Sequence, residues 1–507
     1  MSTLRSVTLE DIPTGDSIDI VDLVPVPSQI AAINVAINTI NSTLGDESDF
    51  TKGAAVVGRA TQTVPTYAAL RGLLKTTKAK TVYVEGNSSY RDGGEGIFTL
   101  DEADITTPED YGTVLVATDG GRWKRHIGSY ISLKWFGAKM DGVTDDQVAL
   151  DRFTAVWIKG YIDGYIPTGV CLISGRWVVD LLLNPSRICP RLFGDGPYSS
   201  TIHSTYTGPL SCFEIARTIV GLDVSAFQGS FDRIGFRGDT PNILASLGKA
   251  DFSDNLGNFQ FKQVFWGNGN STNGVSAITL QVNYLFDCVF DNCVMVGKPQ
   301  YGAALWLRKA VFCNFTNGSY SNAANGIYIT DGGSHNITFV TPDMENINFA
   351  LYVDDPAAER IQLINPYMDI WDPVSMTYPP SAYPIFVGQA QVGGVTVDDA
   401  RFARDQSFLY AYIGHGTPGA ISPTTTYANL NIRGKYPGQT SKPVAATDVG
   451  VLNNTGQVQL VNCSATTSVF INGQEFPGSG GMFILNPGDI IALRYTVAPY
   501  WSWKALW

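Results

Sequence analysis

Two stretches decide the fold: ITFVTPDMENIN, beginning at Ile337, and IQLINPYMDIWD, beginning at Ile361. They align along their whole length at a step of about 24 residues, with Thr341-Pro342 on Asn365-Pro366 and Met344 on Met368. Earlier stretches, FDCVFDNCVMV from Phe286 and FCNFTNGSY from Phe312, extend the series at about 25 residues. The next unit, GVTVDDARFARD from Gly394, arrives about ten residues late. A repeat of this length marks a solenoid whose units bury their apolar faces only by stacking. Each unit reads as one coil of a parallel β-helix, with apolar side chains inside and turn residues at the corners.

Strand alternation then assigns faces. If Met344 and Met368 point inward, the residues beside them point out. One outward column reads Asp343, Tyr367, Arg401, and the next reads Tyr320, Glu345, Asp369. Adjacent coils lie about 4.8 Å apart, which brings the carboxylates of Glu345 and Asp369 almost into contact. At least one of them is expected to hold a proton near neutrality. A protonated acid beside an ionised one is the requirement for glycoside hydrolysis. Asp343, about 7 Å along the same face, adds a third carboxylate. Both retaining and inverting spacings remain open.

The late unit carries WDPVSMTYPPSAY, from Trp371, directly after the acids. A proline-stiffened loop with Trp371, Asp372 and Tyr378 is expected to overhang them and stack on sugar faces. The candidate catalytic set is therefore Glu345, Asp369, Asp343 and Asp372. The candidate substrate-binding set is Tyr367, Trp371, Arg401, Tyr320 and Tyr378, with Arg401 suited to bidentate capture of a carboxylate.

Composition agrees with a β-rich chain and excludes several functions. Of 507 residues only 16% are charged, while 52 are glycine, 23 tyrosine and 25 phenylalanine. The net charge is -12 with no Lys/Arg-rich block, which argues against binding nucleic acid. No apolar run of about 20 residues is present, so membrane insertion is not expected. The seven cysteines are spread through apolar segments and read as reduced core residues. No metal or organic cofactor is implied, and no GxSxG, Walker-type loop or HExxH occurs.

Outside the repeat, SQIAAINVAINTINSTLG, Ser28 to Gly45, places isoleucines on a heptad seam that favours three parallel strands. We expect residues 1–50 to hold an anchoring segment and a short trimeric coil, and 51–130 a small β-rich neck domain with a helix near Tyr67. The β-helix is expected over 131–405. Residues 406–507, with runs such as TYANLNIRG, QVQLVN and GMFILN and the ending PYWSWKALW, read as an antiparallel β-sandwich.

The β-helix is expected to open at FGAKMDGVTDD, Phe136 to Asp146, where a tight turn passes into an amphipathic helix. Thr144 and Gln147 have capping-box spacing, and Leu150, Phe153 and Trp157 share one face that could cover the end of the stack. This string resembles the FGAxGDGxTDD opening motif of pectate-lyase-like right-handed β-helices, especially bacteriophage tailspikes and capsule depolymerases; Met140 stands where that family has glycine. The resemblance implies an all-β homotrimer in the phage virion that attaches through another tail protein and acts on polysaccharide at the bacterial surface. Two rivals stand beside hydrolysis. Arg308 and Lys309 could serve a lyase that abstracts the proton next to a uronate, and a spike without catalysis could bind glycan alone.

Overall fold

The computed structural model describes residues 62–505 except 78, 160–161, 182–188, 217–227, 241, 270–276, 299–300, 371–382, 388–393, 403–412, 416–429, 434–446, 454–458, 465–467, 479, 487, 498 and 500. The heptad seam, with the rest of the segment before residue 62, lies outside the described residues.

Three parallel ladders run the length of the molecule. The first climbs from Tyr130–Ser132 through Asp163–Ile166, Arg191–Gly194 and Gly229–Asp232 to Asn314–Thr316, His335–Val340, Glu359–Ile364, Val395–Asp398 and Leu430–Arg433. The second runs from Asp141–Asp145 through Gly169–Ile173 and Ser200–Ser204 to Tyr367–Ile370 and Arg401–Phe402. The third runs from Trp177–Asp180 through Ala303–Leu307 to Tyr383–Val387 and Ile413–His415. Two long strands, Ser319–Thr330 and Asp343–Asp354, belong to the second ladder in their first half and the third in their second. Because each coil pairs with the coil before and after it, the chain forms a three-faced parallel β-helix.

The inner wall is built from like side chains at successive coils. Phe261, Phe290, Phe315 and Phe339 are paired neighbours on the first ladder, with ring centroids 4.5–4.7 Å apart. All seven cysteines are buried and unpaired, as the sequence led us to expect. The corner between the first and second ladders has one recurring form. A residue at positive φ, as at Gln263, Asn292, Asn317, Thr341, Asn365 and Asp399, is followed by one more residue, and the chain then enters the second ladder. Cys293 and Pro342, two of these following residues, are buried. Asparagine and aspartate are enriched here because their short polar side chains tolerate the left-handed region.

The helix Gln147–Trp157 covers the N-terminal end of the stack, with Leu150, Phe153 and Trp157 buried in the main core. Gly164 lies beneath it, where a Cβ would come within 2.7 Å of Phe153 and 2.9 Å of Trp157, so only glycine admits this approach. The start of this helix differs from expectation. Asp145, not Thr144, accepts from the Gln147 backbone N–H at 3.0 Å, and the Gln147 side chain turns instead to Asp151 and the Arg176 carbonyl. No capping box forms. Asp146 is buried and accepts from the backbone N–H groups of Lys139 and Met140, holding Met140 at φ 57.

Residues 62–125 form a small five-stranded sheet with the helix Tyr67–Arg71 against it. At the other end, Leu430–Arg433 continues the first ladder. The LNIR part of the run TYANLNIRG therefore belongs to the β-helix, whose first ladder extends past residue 405; pairing with Val395–Asp398 outweighs the glycine and proline signals around it. Beyond it, two antiparallel sheets share one core of Val451, Val461, Val469, Leu485 and Ile491 with Trp501 and Trp503. Both tryptophans are interior, so neither offers a platform for sugar. Among the described residues no helix is long and apolar enough to cross a membrane.

The corner geometry has a direct test. Asn365 sits at φ 50 and is exposed. Asn365→Val should destabilise the protein by about 1–2 kcal/mol in chemical denaturation, because a β-branched residue is strained there, whereas Asn365→Gly should be close to neutral.

Candidate functional site

The acids meet on the outward face of the second ladder. Asp343 follows the Thr341-Pro342 corner immediately, and its backbone N–H donates to the Gly318 carbonyl at 2.8 Å. That bond sets the register of the coil. Met344 pairs with Met368, both fully buried, and Glu345 pairs with Asp369 as the repeat predicts. Directly below, Asp343 stands on Ser319 and Glu345 on Ser321, and the next coil offers Val294 and Val296.

Just past Glu345 the strand is irregular, with Asn346 at φ 53 and a shift of register between Glu345 and Ile347. Asn346 Nδ2 donates to Asn322 Oδ1 of the coil below at 3.2 Å, and Asn322 has the same positive φ. This asparagine pair turns the chain from the second face to the third, leaving Glu345 exposed at the edge. The spacing of Asn322 and Asn346 equals that of the repeat, which was the signal available for it.

The surroundings of this column act on the Asp343 carboxyl. Half-buried, it is pushed up to about 6, first by desolvation and then by the negative charges of Glu345 and Asp369. Its Oδ1 is shielded from solvent and has no hydrogen-bond partner among the described residues. A carboxyl group in that condition gains by keeping its proton.

The remaining candidates divide three ways. Tyr367 and Arg401 lie in the Asp343 column, paired with each other, and Arg401 is exposed. Tyr320 is a correction. It pairs with Met344 rather than Glu345, is 1% exposed, and packs edge-on against Phe339 in the core. A register one residue away from the expected one moves a side chain to the opposite face, and Ser321 takes the outward place. Trp371, Asp372 and Tyr378 lie outside the described residues.

The lyase candidates have other tasks. The Arg308 guanidinium donates to the Ala250 carbonyl and Asn283 Oδ1, pairs with Asp331, and lies over Phe252. The Lys309 ammonium sits 3.9 Å from the centre of the Tyr284 ring. His335 Nδ1 is 2.8 Å from the Gly333 carbonyl, a local turn contact. Asp141 and Asp145 accept from neighbouring backbone N–H groups, as turn residues do. Among the described residues no cluster of His, Cys, Asp and Glu could hold a metal ion.

Comparison with known proteins adds the following. Residues 63–128 match the family of the phage tail protein small four-stranded beta-sheet domain. Over 362 residues the chain is 24% identical to the Mu-like prophage FluMu defective tail fiber protein of Haemophilus influenzae, covering 66% of this chain and 55% of that protein. The chain thus spans about half the length of this curated relative. Among solved structures it is similar to tailspike protein 4 of bacteriophage CBA120, at 14% identity and a TM-score of 0.43, over 92% of this chain and 78% of that one. It is also similar to tailspike gp49 of the Acinetobacter baumannii bacteriophage Fri1, described as a capsular polysaccharide depolymerase, at 8% identity and a TM-score of 0.40 over 88% and 98%. A third likeness is to Pantoea stewartii WceF, described as a glycan biofilm modifying enzyme, at 13% identity and a TM-score of 0.38 over 88% and 72%.

Proposed function

We propose that this chain is a phage tailspike that binds a bacterial surface polysaccharide and hydrolyses it, with Asp343 as the proton donor. The observation that carries the reading is the half-buried Asp343 carboxyl, its Oδ1 without a partner among the described residues, beside two further carboxylates. The phage tail domain match at residues 63–128 supports a place in the tail. Homotrimeric assembly and attachment through another tail protein belong to the same proposal.

In this mechanism Asp343 protonates the glycosidic oxygen as the bond breaks, and the aglycone leaves as an alcohol. Glu345, exposed at the edge, or Asp369 takes a proton from water as the water attacks the anomeric carbon on the opposite face. Asp343 and Glu345 are two positions apart on one strand, roughly 7 Å, which falls in the inverting range. Tyr367 and Arg401 lie in the same column as Asp343 to position the sugar. Arg308 is occupied by Asp331 and backbone acceptors, which disfavours the elimination route.

The test is incubation with a panel of purified bacterial capsular polysaccharides and exopolysaccharides, with mass spectrometry of the products. Oligosaccharides one water heavier than the repeat are expected; products lacking that water would mean elimination, and no shortening would mean a spike that binds without cleaving. Asp343→Asn, Glu345→Gln and Asp369→Asn should each lower kcat by roughly 100-fold or more. NMR of the first product should show the inverted anomer.

The raised pKa gives two pH predictions. A donor must keep its proton, so the rate should fall as pH rises through about 6. The sign for stability is also fixed: the folded chain binds this proton more tightly than the unfolded one, so Asp343 costs stability increasingly between about pH 4 and 6 and fully above that. Asp343→Asn should therefore leave stability near pH 4 unchanged and raise it at pH 7 by about 1 kcal/mol, after allowance for solvent screening of a half-exposed group. Denaturant titrations at the two pH values measure it.

A further inference from the structure

The third face carries a groove that the sequence reading did not find. Along its outward column Glu214, Ser246 and Gln281 give way to Trp306, Tyr328 and Tyr352 at successive coils. The Trp306 and Tyr328 rings stack with centroids 5.9 Å apart, and Tyr352 meets both Tyr328 and Phe349 edge-on. Trp306 Nε1 donates to Thr330 Oγ1 at 2.7 Å, which fixes the plane of the indole. These rings line a cleft of about 720 Å³ with walls that include Asn242 and Asn325. Asn325 Nδ2 donates to the Gly302 carbonyl, which fixes the amide in the wall.

The chemistry of the lining selects the occupant. Flat rings with a few amides at their margin suit a pyranose, whose C–H face is apolar. Charged groups stand at its margin: Lys298 over the Tyr301 ring, Arg308 over the Trp306 ring, and the carboxylates of Asp354 and Asp331 near Tyr328. We infer that this groove holds sugar residues of the same polysaccharide, as a binding site separate from the acids. The inference rests on the proposed function and adds a second binding site to it.

The two sites share their scaffold. Strand Asp343–Asp354 carries Asp343 and Glu345 at one end and Phe349 and Tyr352 at the other, and strand Ser319–Thr330 lies beneath both. Seven strand positions from Glu345 to Tyr352 correspond to roughly 20 Å. A glycan cleaved at the acids is therefore held several sugars away from the broken bond. Such remote contacts help long substrates and are lost to short ones.

The experiment uses the full-length chain with Asp343→Asn, which removes the proposed proton donor, in affinity gel electrophoresis through the polysaccharide panel. Adding Trp306→Ala or Tyr352→Ala to this chain should weaken retardation by a bound polysaccharide about tenfold or more, with Trp306→Phe restoring part of it. In the chain with its acids intact, the same groove substitutions should raise KM for long chains and leave the rate on the shortest cleaved oligosaccharide unchanged. Equal retardation of the groove variants and their parent would overturn the inference while leaving the proposed hydrolysis standing. A change of oligomeric state in light scattering with unchanged retardation would also overturn it, marking the rings as a contact between copies. If the parent binds nothing in the panel, the groove and the polysaccharide reading fall together. Circular dichroism and an unaltered melting temperature certify that each variant is folded.

Discussion

From Arg233 onward, a backbone residue held at positive φ, followed by one more residue, turns the described coils from the first face to the second. That corner is the constraint on which the rest depends. It leaves a fixed number of residues between the strands of a coil, so hydrogen bonding to the coil below admits only one register. Asp343 bonds to Gly318, Tyr367 to Pro342 and Arg401 to Pro366 in the same manner. Once those bonds form, methionine must fall on methionine and Glu345 on Asp369. A slip by one residue would turn the outward acids into the core, where an unpaired charge costs far more than a strained turn.

The same constraint concentrates charge. In a solitary strand, Asp343 and Glu345 would be two solvated carboxylates. Stacking adds Asp369 from the coil above and covers part of Asp343, so that desolvation and repulsion act on one group together. The protein thereby keeps an unfavourable arrangement that the long ladders on either side are able to hold. Carboxylates placed against their own stability are characteristic of sites where a proton is to be delivered. The third face obeys the same logic with different side chains, since a column that starts polar and turns aromatic creates a localised groove rather than a uniformly sticky wall.

Much of this was legible in the chain. The step from Thr341-Pro342 to Asn365-Pro366 predicted both coil length and the pairing of Glu345 with Asp369, because corner residues report their own backbone geometry. Leu150, Phe153 and Trp157 marked the covering helix by their spacing. Tyr320 misled because its coil lacks the proline that marks the corner in the next two, so the register could be misjudged by one. Trp306, Tyr328 and Tyr352 escaped notice for a different reason. They sit on a face whose connecting segments vary in length, and their alignment is visible only through the strand pairing.

Sequence alone determined the repeat, the outward placement of the three acids and the covering helix, since each follows from periodicity and from residues with narrow conformational preference. Only the tertiary structure decided how far the Asp343 carboxyl is desolvated and where the aromatic rings converge. Both are properties of surroundings assembled from separate coils. Desolvation and ring packing depend on neighbours in space, and a linear pattern does not record how deeply one carboxyl oxygen is covered.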